Sequence, residues 1–226
     1  LEFDAVLSQV RSLLDTSLGD LGNAGAEFAF SLPGFEGFDT PTTFSQFNRA
    51  VAAEAGVYAG DGSATLTALG TSYFDLNGSL LNGPRHLFSL NSGDVTNDLF
   101  KIPSESVDMA NNADQIIVHN SWINEAEAGD LRVSSKAAIR PNPTSQDNLN
   151  GTHETRLYAE NISPISIIRN EELILIYAEA NILTSNLGDA VTALNVIRNA
   201  AGLPDYTGAD TVDALTTELL NQRRLS

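Results

Sequence analysis

The stretch Arg169-Asn170-Glu171-Glu172-Leu173-Ile174-Leu175-Ile176-Tyr177-Ala178-Glu179-Ala180 decides the fold. Six consecutive apolar residues, Leu173 to Ala178, sit inside a segment whose polar flanks suit a helix over 168–184. A helix that is apolar nearly all round has no face to give to water, so other helices must surround it. The apolar run is far shorter than the ~20 residues that span a bilayer. Downstream, Gly188-Asp189 breaks the pattern, and 189–201 resumes it with Val191, Leu194, Ile197 and Ala201 on one face. Gly202 and then Pro204 end that helix, as a C-terminal glycine followed by proline does. A last helix is expected over 211–224. The spacing therefore predicts a helical array with 168–184 at its centre.

The N-terminal half repeats the theme more weakly. Phe3, Val6, Leu7, Val10, Leu13 and Leu14 predict a helix over 3–14, ended by Gly19, Gly22 and Gly25. Residues 25–41, rich in Gly, Pro and Phe, read as a packed irregular loop. Thr40-Pro41 is a helix start signal for 42–59. Ser63 is placed to cap a short helix over 64–73. Residues 75–103 read as loop with some extended pieces, and 104–120 has no clear pattern, although Ser104-Glu105 suits a helix start. Leu131, Val133, Ser135, Ala137 and Ile139 alternate with Arg132, Ser134, Lys136 and Arg140, which predicts a half-buried strand over 131–139. Residues 141–153 read as an exposed loop.

A shift of 125 residues aligns the two helical regions without a gap. Ala53-Glu54-Ala55 falls on Ala178-Glu179-Ala180, and Thr67-Ala68-Leu69 on Thr192-Ala193-Leu194. Small residues at a crossing let antiparallel helices approach closely, so the expected unit is a tetratricopeptide-like pair. Ala178, Ala190 and Leu194 have the small-small-large spacing of that repeat, and Ala52, Ala64 and Ala68 echo it. The units are not consecutive, which excludes a plain solenoid.

Composition narrows the function. The formal charge of −17 and pI near 4.3 repel phosphate backbones, so nucleic acid is not an expected partner. Without cysteine the chain carries no disulfide, thiolate metal site or lipid-bearing cysteine. Leu1-Glu2-Phe3-Asp4 has no leader-like character, and Arg224-Leu225-Ser226 stops inside an expected helix. The chain is read as one domain, 1–226, cut from a longer protein.

The stretch 169–180, then Ala190 to Arg198, then Ala201-Gly202-Leu203-Pro204, closely resembles the RagB/SusD family. Its members carry an Arg-x-x-Glu apolar run ending in Tyr-Ala-Glu-Ala, a helix with Ala-Leu-Asn-x-Ile-Arg, Ala-Gly-Leu-Pro, and a helix ending in Glu-Arg-Arg. Here that last element is Asn221-Gln222-Arg223-Arg224, with glutamine where glutamate is usual. Phe47-Asn48-Arg49-Ala50, Val57-Tyr58, Ala64 to Leu69 and Gly129-Asp130-Leu131-Arg132-Val133 are similar to further family segments. The resemblance implies an all-α SusD-like scaffold of tetratricopeptide-like antiparallel pairs, with irregular loops and a little β. It also implies a non-enzymatic role on the outer surface of the outer membrane. There such proteins capture glycans or other nutrients and pass them to a SusC-like TonB-dependent transporter. The lipid anchor would belong to a part absent from this chain. A tetratricopeptide-type scaffold that binds only protein or peptide is the alternative.

Glycan capture needs aromatic faces and hydrogen-bonding side chains, with no catalytic group or cofactor. Trp122, in the polar setting His119-Asn-Ser-Trp122-Ile-Asn124, is the candidate sugar platform, against a core role with its N–H satisfied. Phe35, Phe38, Tyr73, Phe74 and Tyr158 are weaker candidates. Glu179 in an apolar helix needs a partner, and Arg198 is the expected one. His86, His119 and His153 are too scattered for a zinc motif. Asp94, Asn97 and Asp98 form an oxygen-rich loop, expected to be an ordinary turn rather than a calcium site. Arg132, Lys136 and Arg140 are expected on one solvated strand face. No motif of nucleotide or serine-hydrolase chemistry occurs, and no pair of carboxylates stands out for glycoside hydrolysis.

Overall fold

A computed structural model describes residues 2–106 and 115–226. The decisive stretch forms helix α6, Asn170–Leu183, and ten of its fourteen residues are buried. One side of α6 offers Ile174, Leu175, Ala178 and Ile182 to α7 (Leu187–Ala200) and α8 (Val212–Leu225), where Ala190, Leu194, Ile197, Leu215 and Leu219 complete a core. The other side offers Leu173 and Ile176 to α2 (Pro41–Tyr58) and α3 (Gly62–Leu69), where Ala50, Ala53, Val57 and Leu69 complete a second. The helix has no polar face because it is the wall between two cores. Leu173, Ile174, Leu175 and Ile176 are all 0% exposed.

The two helix pairs correspond in start position and buried contacts, although α3 has 8 residues and α7 has 14. With the 125-residue shift, α3 and α7 start at matching residues, Gly62 and Leu187, behind caps at Asp61 and Asn186. Ala53, Thr65 and Leu69 are buried as Ala178, Ala190 and Leu194 are. The first unit therefore crosses one residue further on than Ala52, Ala64 and Ala68, which are only half-buried or, for Ala68, turned into the same core. The crossing is tight: a Cβ on Gly56 would stand 2.4 Å from the Thr65 hydroxyl. Short links, Ala59–Asp61 and Thr184–Asn186, fold each pair back on itself, as antiparallel helix hairpins require. Thr40 caps α2 and Pro41 opens it, as the sequence predicts.

Four local expectations are corrected. Helix α1, Phe3–Asn23, packs on α2 and runs through Gly19 and Gly22, with Leu18 and Leu21 still half-buried beyond the expected end. Asp61, rather than Ser63, caps α3 by accepting from the Ala64 N–H at 3.0 Å. The expected strand over 131–139 divides. Asp130 accepts the Arg132 N–H at 2.9 Å and starts the short helix α5, Leu131–Lys136, before strand β3 begins at Ala137. Residues 141–153 are not a loop either. They belong to a hairpin of β3 (Ala137–Gln146) and β4 (Leu149–Thr155), whose Asp147-Asn148 turn has φ of 52° and 65°, the left-handed pair a tight hairpin uses. Strand β2, Ile117–Val118, joins the far side of β4, while β1 (Arg85–His86) pairs with β5 (Ile165–Ser166). Residues 107–114 of the patternless segment lie outside the described residues.

The architecture is thus all-α with little sheet. The region between the two repeats returns to α6 through a clamp. The Asn170 side chain accepts the Asp75 N–H at 2.9 Å and donates to the Asp75 carbonyl at 2.7 Å. The Glu171 N–H donates to the Leu80 carbonyl at 3.1 Å.

Candidate functional site

The sheet region meets the last turn of α8. Helix α4, Asn120–Asn124, is capped by His119 and carries Trp122. The indole N–H donates to the Arg224 carbonyl in the last turn of α8 at 2.8 Å. Trp122 is half-buried, so its polar handle is spent within the protein and part of the ring remains accessible. Two cavities of about 380 Å³ each flank β2 and share Val118 and His119 as a common rim. The first lies along the hairpin and is lined by Gln115, Arg140, Thr144, Asp147 and Asn150, among others. The second is mainly apolar and is lined by Trp122, Leu157, Lys136, Arg224 and Leu225.

The basic residues read as one solvated face are not solvated. Arg132 is 7% exposed on α5, where its guanidinium holds Asp130 at 2.7 Å and donates to the Gln222 side chain at 2.7 Å. Burial alone would push the Asp130 carboxyl up, but these charged hydrogen bonds hold it below the usual range. Arg140, also 7% exposed, reaches Glu154 at 3.0 Å. Glu154 is fully buried and is shared by a second guanidinium, Arg156. Despite that burial its pKa is lowered, by the Ser104 N–H and by Arg156. Lys136 is partly buried and donates to the carbonyls of Leu225 and Ser226. Burial pulls its pKa down to about 8, with the Arg169 and Arg132 charges adding to the shift.

Behind the cavities runs a buried polar chain that sequence reasoning missed. Arg198 donates to both oxygens of Glu127 at 2.9 Å, to Glu218 at 2.7 Å and to the Pro204 carbonyl at 2.8 Å. Gln222 donates to Glu218 at 2.7 Å and receives Arg132, so α7, α8, α5 and the 125–130 loop are tied together. The glutamine at 222 was the visible clue, since an amide both donates and accepts where a carboxylate only accepts. This overturns the Glu179–Arg198 pair. Glu179 is only part-buried and takes Arg223 of α8 instead.

The other candidates separate. Phe38 and Tyr73 are buried against each other with centroids 4.8 Å apart, and the Tyr73 hydroxyl donates to the Ile168 carbonyl, so both belong to the core. Phe35 packs with Phe44 and Phe47, and Phe74 stacks on Tyr177 at 4.9 Å. Tyr158 is half-buried. Asn97 is buried and spent on Ser163 and Leu99, while Asp94 takes the Ser89 hydroxyl, which makes the 94–98 segment a set of turns. His86 lies on β1 and His153 on β4, and only His119 reaches the cavities.

A sequence profile described as the SusD family matches residues 109–225, slightly more than half of the chain. No curated protein matches it. Among solved structures, a SusD superfamily protein from Bacteroides fragilis superposes with TM-score 0.69 at 12% identity, over 98% of this chain and 58% of its own. Surface glycan-binding protein A from Bacteroides uniformis gives 0.59 at 18% identity, over 98% and 54%. A SusD superfamily protein from Parabacteroides distasonis gives 0.54 at 16% identity, over 79% and 48%. The chain spans about half the length of these structures, and at such identities the likeness is one of fold.

Proposed function

The chain belongs to the SusD family, and from that premise we propose that the protein captures glycans at the cell surface and delivers them to a SusC-like TonB-dependent outer-membrane transporter. In this reading it is held at the outer membrane by a lipid anchor outside the present sequence, and it performs no catalytic step. Residues 1–226 act as one domain of the longer protein. The observation that carries the reading is the family match across 109–225, because those residues contain both cavities and the helices that frame them. The likeness to a surface glycan-binding protein of Bacteroides uniformis supports the same ligand class.

Trp122 is the residue we assign to the sugar. With its N–H committed to Arg224, the ring offers only a π-face, which suits the C–H face of a pyranose. Calorimetry of the full-length protein against plant, host and microbial oligosaccharides tests the proposal, with Trp122→Ala alongside. Saturable binding to one glycan class, weakened by the variant, supports capture at this site. Binding of peptides with no response to any glycan refutes it in favour of a tetratricopeptide-type peptide scaffold.

A further inference from the structure

The whole chain has 29 acidic residues and 12 lysines and arginines. The linings of the two adjoining cavities invert that ratio. Among the described residues, Lys136, Arg140 and Arg224 line them, with His119 on the shared rim, against the one carboxylate of Asp147. An acidic protein that concentrates its cations in one concavity has built a local potential opposite to its surface.

Two of these cations already hold a carboxylate, Arg140 that of Glu154 and Arg224 that of Glu125. Arg140 and Arg156 share one buried carboxylate, Glu154, and the other partner of Arg156, Glu105, has a side chain 57% exposed to solvent. Among the described residues, the hydrogen-bond acceptors of Lys136 are the backbone carbonyls of Leu225 and Ser226. The charges around it already balance, Arg132 with Asp130 and Arg169 with Glu171. Among the described residues its ammonium thus has no carboxylate of its own, a costly arrangement in an apolar cavity unless an anion arrives. The Trp122 ring stands in the same cavity.

We propose that the paired cavities bind an anionic glycan, with the sugar ring on Trp122 and its carboxylate or sulfate drawn to Lys136 in the same cavity. The inference rests on the glycan-capture reading above and narrows its ligand. A neutral sugar would fill the same space but leave the lysine unpaired. The long-range field of the chain is repulsive to anions, so selectivity must come from these short-range contacts rather than from steering.

Calorimetry with matched probes tests it on the full-length protein: tetragalacturonate, its methyl ester, a chondroitin sulfate tetrasaccharide and a neutral galacto-oligosaccharide. Esterification removes charge while keeping size and ring. At least one acidic probe is expected to bind about tenfold or more tightly than the neutral ones, the worth of one charged hydrogen bond. That preference should shrink with added salt, and tetragalacturonate binding above ester binding separates a carboxylate from a sulfate ligand. Lys136→Met, which keeps the stem and deletes the ion, should narrow the acid-to-neutral ratio by about fivefold or more. Equal or tighter binding of the neutral probes overturns the anionic assignment and leaves glycan capture standing. Failure of all four probes, in a protein that also ignores the wider glycan panel, overturns both. The probe comparison and the salt dependence use the unmodified protein, so a variant that does not fold leaves the test intact.

Discussion

Replacing Arg198 with methionine isolates the buried polar chain behind the cavities. The methionine keeps most of the apolar stem, so packing changes little and the loss is electrostatic. Arg198 is 5% exposed and its two ion pairs differ in setting. Glu127 has a side chain 47% exposed, so that bond contributes no more than about 1 kcal/mol. Glu218 has a side chain only 11% exposed, and stripping its cation leaves a buried carboxylate with Gln222 as its remaining side-chain partner. Breaking a buried pair from one side costs about 3–5 kcal/mol. The single variant should therefore lose about 4 kcal/mol in urea denaturation with the m-value unchanged. Arg198→Met combined with Glu218→Leu removes the stranded charge and should recover most of that loss, to within about 1–2 kcal/mol of the parent. Glu179→Gln should show no energetic coupling to Arg198→Met, since the two residues share no partner. The reasoning fails if the double variant is as unstable as the single one, because the cost would then lie in packing and not in an orphaned ion.

Two shorter predictions follow from the same contacts. Lys136 has a folded pKa near 8, below its unfolded value, so the unfolded chain holds the extra proton between about pH 8 and 10.5 and stability should rise with pH across that window. After allowance for solvent screening, the parent should gain about 1 kcal/mol relative to Lys136→Met from pH 8 to 10.5, read from paired urea melts, and a flat difference refutes it. Gly83→Ala would set a Cβ 2.0 Å from the Ile168 carbonyl at a φ of 148°, and thermal melting should register a loss of about 3 kcal/mol, while Gly93→Ala, with open space around it, should lose only the smaller cost of its φ of 96°.

What the sequence made legible was set by how local the cause was. Leu173 to Ala178 announced a buried central helix because no other placement suits a run without a polar face. Thr40-Pro41 and Gly202-Pro204 marked helix ends through rules that act over three or four residues. The strand expected over 131–139 failed for a related reason. The alternation outweighed the Asp130 cap that starts α5, and a second contact at that turn, the Leu131 N–H on the Ala201 carbonyl, is seventy residues away in sequence. The hairpin at 137–155 was hidden by Pro141, Asn142 and Pro143, which read as loop, although Asp147-Asn148 was the turn pair to notice. At the site, Trp122 was recognisable as a lone aromatic in polar company. The partners of Arg198, Arg132 and Arg140 were not, since ion pairing across a helical array is decided by three-dimensional neighbours, and Glu179 was matched to Arg198 only because it sits in an apolar helix next to the one that carries the arginine.

The clamp at Asn170 has a consequence for how such a protein changes over time. Between the end of α3 at Leu69 and the start of α6 lie 100 residues, 70–169, which hold the sheets, α4, α5 and most of the cavity walls. Asn170 and Glu171 hold the returning chain beside Asp75 and Leu80, so the entry and exit of this insertion are pinned together whatever lies between them. Closing a longer loop costs free energy only with the logarithm of its length, about 0.6 kcal/mol for each doubling. Segments can therefore be lengthened, shortened or exchanged inside the insertion while the two-core wall of α6 is left untouched. Cavity shape and scaffold stability are in that sense separately inherited, and a lineage can remodel the cavity walls without rebuilding its frame.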